Sequence, residues 1–156
     1  MRAIVLSDTH GSRKKLYDIV SGLGMFDVLV HLGDGVSDLN AVKPYIQADI
    51  VAVKGNNDIF SYLPEFRVIE LCGQKIYCCH GHNAGVRNGR AALAKLAKDA
   101  GCSVALYGHT HSIADETIDG VRCMNPGSIG YPIGGAAVIE ITDTDGTFRA
   151  EIVKEP

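Results

Sequence analysis

The sequence lacks three features that would assign it to a special class of protein. Its opening apolar stretch reaches charge at Asp8, which is too short for a signal peptide or a membrane span. It has no excess of one charge, because the formal net charge is -3 and the pI is about 6.0. Such a balance does not favour non-specific binding to a nucleic-acid backbone. We therefore expect a cytoplasmic protein with no membrane partner, for which nucleic acid is not the natural ligand.

Cysteine pairs with metal or redox spacing are also missing. The chain has five cysteines, an odd number, and none is separated by the Cys-x-x-Cys interval of thiolate sites. Most of them lie in apolar, strand-like stretches, where a thiol behaves as a small buried apolar group. The pattern favours reduced, buried thiols over a redox or zinc-thiolate role.

Length and composition indicate an ordinary globular chain. With 156 residues, 46% of them apolar and 21% charged, the sequence can bury a sizeable core. No linker, repeat or low-complexity segment interrupts it. We predict a single domain covering residues 1–156.

Short apolar runs alternate with helical patterns in the first part of the chain. Four runs are typical of strands buried on both faces, namely residues 3–6, 28–32, 50–53 and 104–107. Helices are predicted over residues 12–24, 37–47 and 88–100, the second shortened or kinked by Pro44. The third should place Leu93, Leu96, Ala97 and Ala100 on its buried stripe.

Hairpins dominate the second half of the sequence. Turn signals at 72–75, 119–120 and 143–146 separate pairs of alternating segments. An α/β beginning followed by hairpins predicts an α/β fold of two packed sheets with helices on their outer faces.

Five short motifs follow the predicted strands. They are Asp8-Thr9-His10, Gly33-Asp34, Gly55-Asn56-Asn57-Asp58, His80-Gly81-His82 and Gly108-His109-Thr110-His111. Each alone is common in turns and could be a surface loop. Parallel strands, however, deliver their loops to one sheet edge, so we expect the five to converge.

Together the motifs offer seven oxygen and imidazole ligands, which is more than one ion needs. The ligands are Asp8, His10, Asp34, Asn56, His80, His109 and His111. Two adjacent divalent cations sharing one carboxylate are therefore predicted. The sixth histidine, His31, lies inside an apolar strand and is better explained as a core residue.

The order of these motifs, with Asn125-Pro126-Gly127-Ser128 after them, resembles the calcineurin-like metallophosphoesterase superfamily over residues 7–128, and in particular its small YfcE-type phosphodiesterase branch. The resemblance implies a two-sheet αββα sandwich, in agreement with the element order. It also implies a first metal held by Asp8, His10, Asp34 and His111. The second would be held by Asp34, Asn56, His80 and His109, with Asp34 bridging.

Two ions so placed can activate a water between them for in-line attack on phosphorus, so the predicted reaction is metal-dependent hydrolysis of a small phosphoester. Mixed nitrogen and oxygen ligands favour Mn²⁺, with Ni²⁺, Fe²⁺, Co²⁺ and Zn²⁺ also possible, over Mg²⁺ alone. The residues expected to take part in catalysis are Asp34, Asn56 and His82.

One position departs from many superfamily members, which carry a histidine after the metal-binding asparagine. Here that residue is Asn57, and an amide cannot protonate a leaving group. We therefore expect hydrolysis of diesters or activated esters, unless His82 serves as the acid; His82 could equally orient His80.

Two residues are expected to support the site. Asp58 would hydrogen-bond a ligand imidazole or close the turn after Asn56. Ser128 would reach the phosphate or belong to a structural turn.

Three further functions are compatible with the same residues. The retromer complex contains a subunit that resembles this branch and serves chiefly as a protein-binding scaffold. A phosphomonoesterase or a nuclease would also use such a centre. All seven ligand positions hold good ligands, which favours an enzyme over a scaffold.

An apolar cluster after the third motif admits two interpretations. It comprises Ile59, Phe60, Tyr62, Leu63 and Phe66. These side chains could form a homo-oligomer interface or belong to the core.

Overall fold

The computed structural model describes residues 1–154, which form ten strands and three α-helices. The strands are β1 (Arg2–Leu6), β2 (Val28–His31), β3 (Asp49–Ala52), β4 (Phe66–Leu71), β5 (Gln74–Cys79), β6 (Val104–Leu106), β7 (Ile113–Ile118), β8 (Val121–Pro126), β9 (Ala137–Thr144) and β10 (Thr147–Lys154). The helices are α1 (Arg13–Gly22), α2 (Val36–Val42) and α3 (Ala91–Asp99). Three 3₁₀ turns accompany them, at Lys43–Tyr45, His82–Ala84 and Val86–Asn88.

The strands divide into two five-stranded mixed sheets. The first has the order β10-β9-β1-β2-β3, in which β1, β2 and β3 are parallel and the C-terminal hairpin joins antiparallel to β1. The second has the order β4-β5-β6-β8-β7, with β5, β6 and β8 parallel and an antiparallel strand at each edge. Each sheet therefore contains three neighbouring parallel strands whose carboxyl ends point to one side.

Alternate residues of each central strand pack on opposite faces, which creates four layers. Ala3 and Val5 of β1 belong to the cluster between the two sheets, together with Leu106 of the second sheet. Ile4 of the same strand packs instead on the cluster that includes Leu16 of α1. The far face of the second sheet is covered by α3. The predicted αββα sandwich is confirmed.

The helices begin and end close to the predicted positions, with an error of side-chain orientation in α3. The second helix ends at Val42 and continues as the 3₁₀ turn that contains Pro44, as expected of a proline there. In α3, Leu96 is 44% exposed, whereas Ala94 is buried. The predicted buried stripe was wrong at Leu96 and at Ala100, which is also exposed, because the helix turns Leu93, Ala94 and Ala97 toward the sheet. No helix within residues 1–154 has the length and apolar content needed to cross a membrane.

Each of the three hairpins closes with a two-residue turn. Both residues have positive φ in Cys72-Gly73, Asp119-Gly120 and Asp145-Gly146, the backbone of a type I′ turn. The strands extend further into 72–75 and 143–146 than the sequence indicated.

The five cysteines are free thiols, as predicted, and Cys72 alone among them is not fully buried. Burial raises the pKa of Cys79 to about 12 and that of Cys123 to about 11. These thiols therefore stay protonated and unreactive at neutral pH.

The apolar cluster after the third motif lies mostly at the surface. Ile59, Phe60 and Tyr62 are exposed, and Phe66 is about half exposed. Leu63 is the exception, since it packs on the core beneath α1 and α2. The core interpretation thus holds for Leu63 alone.

His31 lies at the end of β2 and is completely buried. The Gly33 N–H donates to its Nδ1 atom at 3.1 Å, which requires the imidazole to accept. Burial lowers the pKa of His31 to about 4, even though the carboxylates of Asp58, Asp8 and Asp38 favour the protonated form. His31 is therefore a neutral core residue, as expected.

The buried imidazole predicts a specific loss of stability in acid. Above pH 6.5 His31 is neutral in both folded and unfolded chains; between about pH 6.5 and 4 only the unfolded chain binds the proton, so stability falls. At pH 5 this should amount to about 2 kcal/mol. Between pH 7 and pH 5 the free energy of unfolding should therefore fall by about 2 kcal/mol less in His31→Gln than in the wild type. Urea denaturation in the presence of a chelator would measure both. Equal losses in the two proteins would contradict this origin of acid sensitivity.

Candidate metal centre

The five sequence motifs meet at one end of the sandwich. Asp8 and Asp34 follow β1 and β2 of the first sheet, and His80 and His109 follow β5 and β6 of the second. The structure brings together two groups of three side chains that could each hold a metal ion: Asp8, His10 and His111, and Asp34, His80 and His109. Six of the seven predicted ligands are therefore in these groups, and each group draws on both sheets.

The first group has the spacing of ligands around one ion. The Oδ1 atom of Asp8 lies 3.2 Å from Nε2 of His111 and 3.5 Å from Nε2 of His10. The two Nε2 atoms are 3.0 Å apart. Ligands that bind one ion at about 2.1 Å and at right angles are themselves about 3 Å apart, so the three side chains fit a divalent cation.

Asp34 lies between the two groups. Its Oδ2 atom is 3.3 Å from Nε2 of His80 in the second group and 3.7 Å from Nε2 of His10 in the first. Burial would raise the pKa of Asp34, but the adjacent His80 imidazole and the hydrogen bonds from Asn57 hold that pKa well below its usual range. The carboxylate is thus ionised and within reach of both groups.

His80 is held in the tautomer that a metal ligand requires. Its Nδ1–H donates to the carbonyl oxygen of Leu32 at 2.8 Å, which leaves the lone pair on Nε2 facing the site. That Nε2 and Oδ1 of Asp8 are both buried, and neither has a hydrogen-bond partner among the described residues. Buried polar atoms normally find a partner. These two atoms are 4.0 Å apart and belong one to each group, so each is available to the cation that its group could hold.

The two histidines of the second group have opposite pKa shifts. Burial would lower the pKa of His80, but the neighbouring carboxylates of Asp34 and Asp8 outweigh this and raise it. Burial lowers the pKa of His109 to about 4, and the nearby His80 and the positively charged Arg87 act in the same direction. At neutral pH His109 is therefore deprotonated and able to bind a metal.

The loops that carry the ligands adopt an unusual backbone. Five of the predicted ligands have positive φ, namely Asp8, His10, Asp34, His109 and His111. A non-glycine residue in this region costs on the order of 1 kcal/mol and is concentrated at functional sites. Hydrogen bonds between loops compensate: Asp8 N–H donates to Gly33 O at 3.0 Å and His10 N–H to Asp34 O at 3.1 Å.

The third motif is arranged differently from the expectation. Asn56 is exposed in the turn, while its neighbour Asn57 contacts Asp34. The Asn57 backbone N–H donates to Oδ1 of Asp34 at 2.8 Å, and its side-chain amide donates to Oδ2 at 2.6 Å. Metal binding by Asn56 stays a prediction; in this structure the amide that reaches Asp34 is that of Asn57.

Asp58 supports the site through the backbone. Its carboxylate accepts hydrogen bonds of 2.7 to 3.0 Å from the N–H groups of Asp34, Gly35, Val36 and Gly55. The loop after β2 is thereby fixed to the loop after β3. Asp58 therefore orients Asp34 through the main chain.

Ser128 and His82 lie on opposite sides of the centre. The Ser128 hydroxyl donates to the carbonyl oxygen of Asp8 at 2.8 Å, and so it braces that loop. The ring of His82 is 5.4 Å from that of His80 and 6.1 Å from that of His109, measured between centroids. Burial and the neighbouring His80 lower the pKa of His82. His82 is therefore beside the second group and largely neutral.

Two supporting residues were not identified from the sequence. Asp38, fully buried on α2, accepts from the Thr9 hydroxyl at 2.7 Å and the Gly11 N–H at 2.8 Å, on either side of His10. Asn125 donates to Gly108 O at 2.9 Å and so holds the loop that carries His109. A carboxylate on the otherwise apolar face of α2 was the available signal for Asp38.

Two five-stranded sheets between helices, with two carboxylate–imidazole groups at their strand ends, define a metal-binding α/β sandwich. The family model described as the calcineurin-like phosphoesterase superfamily domain matches residues 1–146. The chain therefore belongs to the calcineurin-like phosphoesterase superfamily, and the predicted small YfcE-type branch is confirmed by its relatives.

Individual relatives cover nearly the whole chain. A phosphodiesterase of Methanocaldococcus jannaschii is 29% identical over a gapped alignment of 174 positions, which covers 99% of this chain and 100% of that protein. The crystal structure of a predicted phosphoesterase from Streptococcus pneumoniae superposes with a TM-score of 0.80 at 29% identity, covering 98% of this chain and 88% of that one. Vacuolar protein sorting-associated protein 29 of Saccharomyces cerevisiae is 25% identical over 146 residues, covering 92% of this chain and 51% of that protein.

The hydrogen bonds of Asp58 predict a large effect on stability. Replacing Asp58 by alanine leaves four N–H groups without their acceptor, so Asp58→Ala should lower the free energy of unfolding by about 2 kcal/mol or more. Asp143→Ala is the matched control, because that exposed carboxylate accepts from one N–H group only, that of Gly146. Urea denaturation in chelator would measure both, and similar losses for the two variants would refute the supporting role.

Proposed function

We propose that this protein is a dinuclear metal-dependent phosphodiesterase that acts on a small phosphoester. The observation that carries the proposal is the pair of carboxylate–imidazole groups with Asp34 within reach of both. The name of the M. jannaschii relative supports the reaction class. Acidic pI and the absence of a long basic run in the sequence argue against a nucleic-acid substrate.

The proposed ligand sets follow the two groups. The first ion would be held by Asp8, His10, Asp34 and His111, and the second by Asp34, Asn56, His80 and His109. When bound, two such ions lower the pKa of a water and supply positive charge to the phosphoryl oxygens. The donor set of carboxylate oxygen and imidazole nitrogen favours Mn²⁺, ahead of Ni²⁺, Fe²⁺, Co²⁺ and Zn²⁺.

The side chains themselves contribute charge and orientation. Asp8 and Asp34 provide two negative charges to the site. Among the ion pairs of residues 1–154, neither carboxylate is paired with a lysine or an arginine, so bound metal cations would offset these charges. The fixed Nδ1–H of His80 keeps its Nε2 available without reorganisation. The loops are thus preorganised for an anionic substrate that arrives with its phosphate toward the metal centre.

His82 is the proposed proton donor to the leaving group, acting through its protonated form, which its lowered pKa makes the minor form at neutral pH. It lies beside the second group, whereas Asn57, at the position where the family resemblance led us to look for a histidine, donates both of its hydrogen bonds to Asp34. Leaving groups that need no proton should therefore react regardless of His82, and alkoxide leaving groups should depend on it.

A protein-binding scaffold is the second candidate, favoured by the similarity to vacuolar protein sorting-associated protein 29. The complete set of six ligand side chains in two groups argues for turnover. The exposed apolar side chains Ile59, Phe60 and Tyr62 offer a surface on which a homo-oligomer could form, and light scattering would measure it.

Removing the metal should separate the enzyme from the scaffold. We expect the purified protein to hydrolyse bis(p-nitrophenyl) phosphate, to lose this activity in chelator and to regain it with Mn²⁺. Asp34→Asn should lower the rate at least about 100-fold, since even outer hydrogen-bond partners of a metal site are worth roughly 10- to 100-fold. Asp99→Asn, an exposed carboxylate on α3, is the control and should keep full activity. Activity that survives complete metal removal would exclude the mechanism.

The leaving group should decide the effect of His82. We expect His82→Ala to reduce hydrolysis of an alkyl phosphoester about 100-fold while p-nitrophenyl diester turnover changes little, since p-nitrophenolate needs no acid. Asn83→Ala, an exposed neighbour bonded to Glu65, is the matched control. A variant at position 82 that prefers an alkyl monoester would end the assignment.

A further inference from the structure

Tyr131 stands against the first metal-binding group. It lies in the segment between β8 and β9, and its ring centroid is 5.5 Å from that of His10 and 6.5 Å from that of His111. The ring is nearly parallel to His111, with 15° between the planes. Tyr131 nevertheless remains 64% exposed, so its outer face is free to contact a bound molecule.

The backbone on both sides of Tyr131 is bonded to the loops that carry the ligands. Its N–H donates to the Ser128 hydroxyl at 2.8 Å, and that hydroxyl donates in turn to Asp8 O. The preceding Gly130 N–H also donates to Asp8 O, at 2.9 Å, and the Ile133 N–H donates to His111 O at 3.1 Å. The backbone of Tyr131 is therefore fixed relative to the metal centre.

Gly130 brings this segment unusually close to the loop after β1. A Cβ atom at position 130 would collide with the carbonyl oxygen of Thr9, so only glycine fits there. The close approach sets the position of the next residue, Tyr131. Because Tyr131 is largely exposed, its side chain contributes little to the core. It forms one side of the site instead.

We propose that Tyr131 is a specificity-determining residue that packs on the organic group of the substrate and favours planar aromatic esters over alkyl ones. The inference rests on the proposed phosphodiesterase function. A phosphate seated at the metal centre directs its ester group outward, past the imidazoles of His10 and His111 and along the ring of Tyr131. Offset or edge-on contact between two aromatic rings adds to the apolar area that they bury.

The experiment compares two ligands that differ only in the ring and cannot be hydrolysed. Phenylphosphonate and methylphosphonate are titrated calorimetrically into the Mn²⁺-loaded full-length protein, and metal content is measured for each variant. The wild type should bind phenylphosphonate about three- to tenfold more tightly than methylphosphonate. That ratio should fall to about 1 in Tyr131→Ala and persist in Tyr131→Phe, with metal content unchanged. Tyr45→Ala, which alters another exposed tyrosine away from this segment, should keep the wild-type ratio.

The outcomes separate this inference from the function on which it rests. A preserved ratio in Tyr131→Ala, or no preference in the wild type, would overturn the specificity role. Loss of metal in Tyr131→Ala and Tyr131→Phe would overturn it as well, since the ring would then orient His10 and His111 instead. If bis(p-nitrophenyl) phosphate is not hydrolysed while the phosphonate ratio behaves as expected, the catalytic proposal fails and the recognition of planar groups stands.

Discussion

Carboxylate and imidazole atoms packed close together at the strand ends are the central constraint of this molecule. Oδ1 of Asp8 and Nε2 of His80 are buried without hydrogen-bond partners among the described residues, and the Nε2 atoms of His10 and His111 meet at 3.0 Å. Burying such atoms together is unfavourable unless positive charge lies among them. The left-handed backbone of the ligand loops and the hydrogen bonds between those loops follow from the need to hold this arrangement.

The support for these loops is distributed over several carboxylates and amides with separate tasks. Asp58 gathers four backbone N–H groups, Asp38 holds both sides of His10, and Asn125 fixes the loop of His109. None of them offers its polar atoms to the site directly. The candidate metal ligands are therefore positioned mainly through hydrogen bonds to the backbone of their loops. Replacing one of these supporting residues would displace the backbone of the neighbouring loop as well.

Much of the fold was predictable because its signals are local. Apolar runs marked four of the parallel strands, although β3, at the edge of its sheet, is only partly buried. Asp119-Gly120 marked a type I′ turn that the structure contains. The position of Leu96 was predicted wrongly because α3 is rich in alanine. With alanine on several faces, the sequence does not show which face of the helix packs on the sheet. Convergence of the motifs was also foreseeable, since their positions after strands fix the edge at which they meet.

The details of the third motif and of Tyr131 could not be predicted in the same way. Whether Asn56 or Asn57 turns toward Asp34 depends on the conformation of one tight turn between β3 and β4. A sequence pattern cannot distinguish between two adjacent asparagines. Tyr131 is separated from His10 by most of the chain's length, and only the hydrogen bonds of Ser128 and Gly130 to Asp8 bring the two rings together.

The participation of both sheets in each ligand group has a thermodynamic consequence. Asp8 and His111 come from opposite sheets, as do Asp34 and His80. A cation that binds the native chain and not the unfolded one raises the unfolding free energy in proportion to the logarithm of its concentration. Here that contribution acts across the seam of the sandwich, so the separation of its two halves is thermodynamically linked to the cellular supply of the ion.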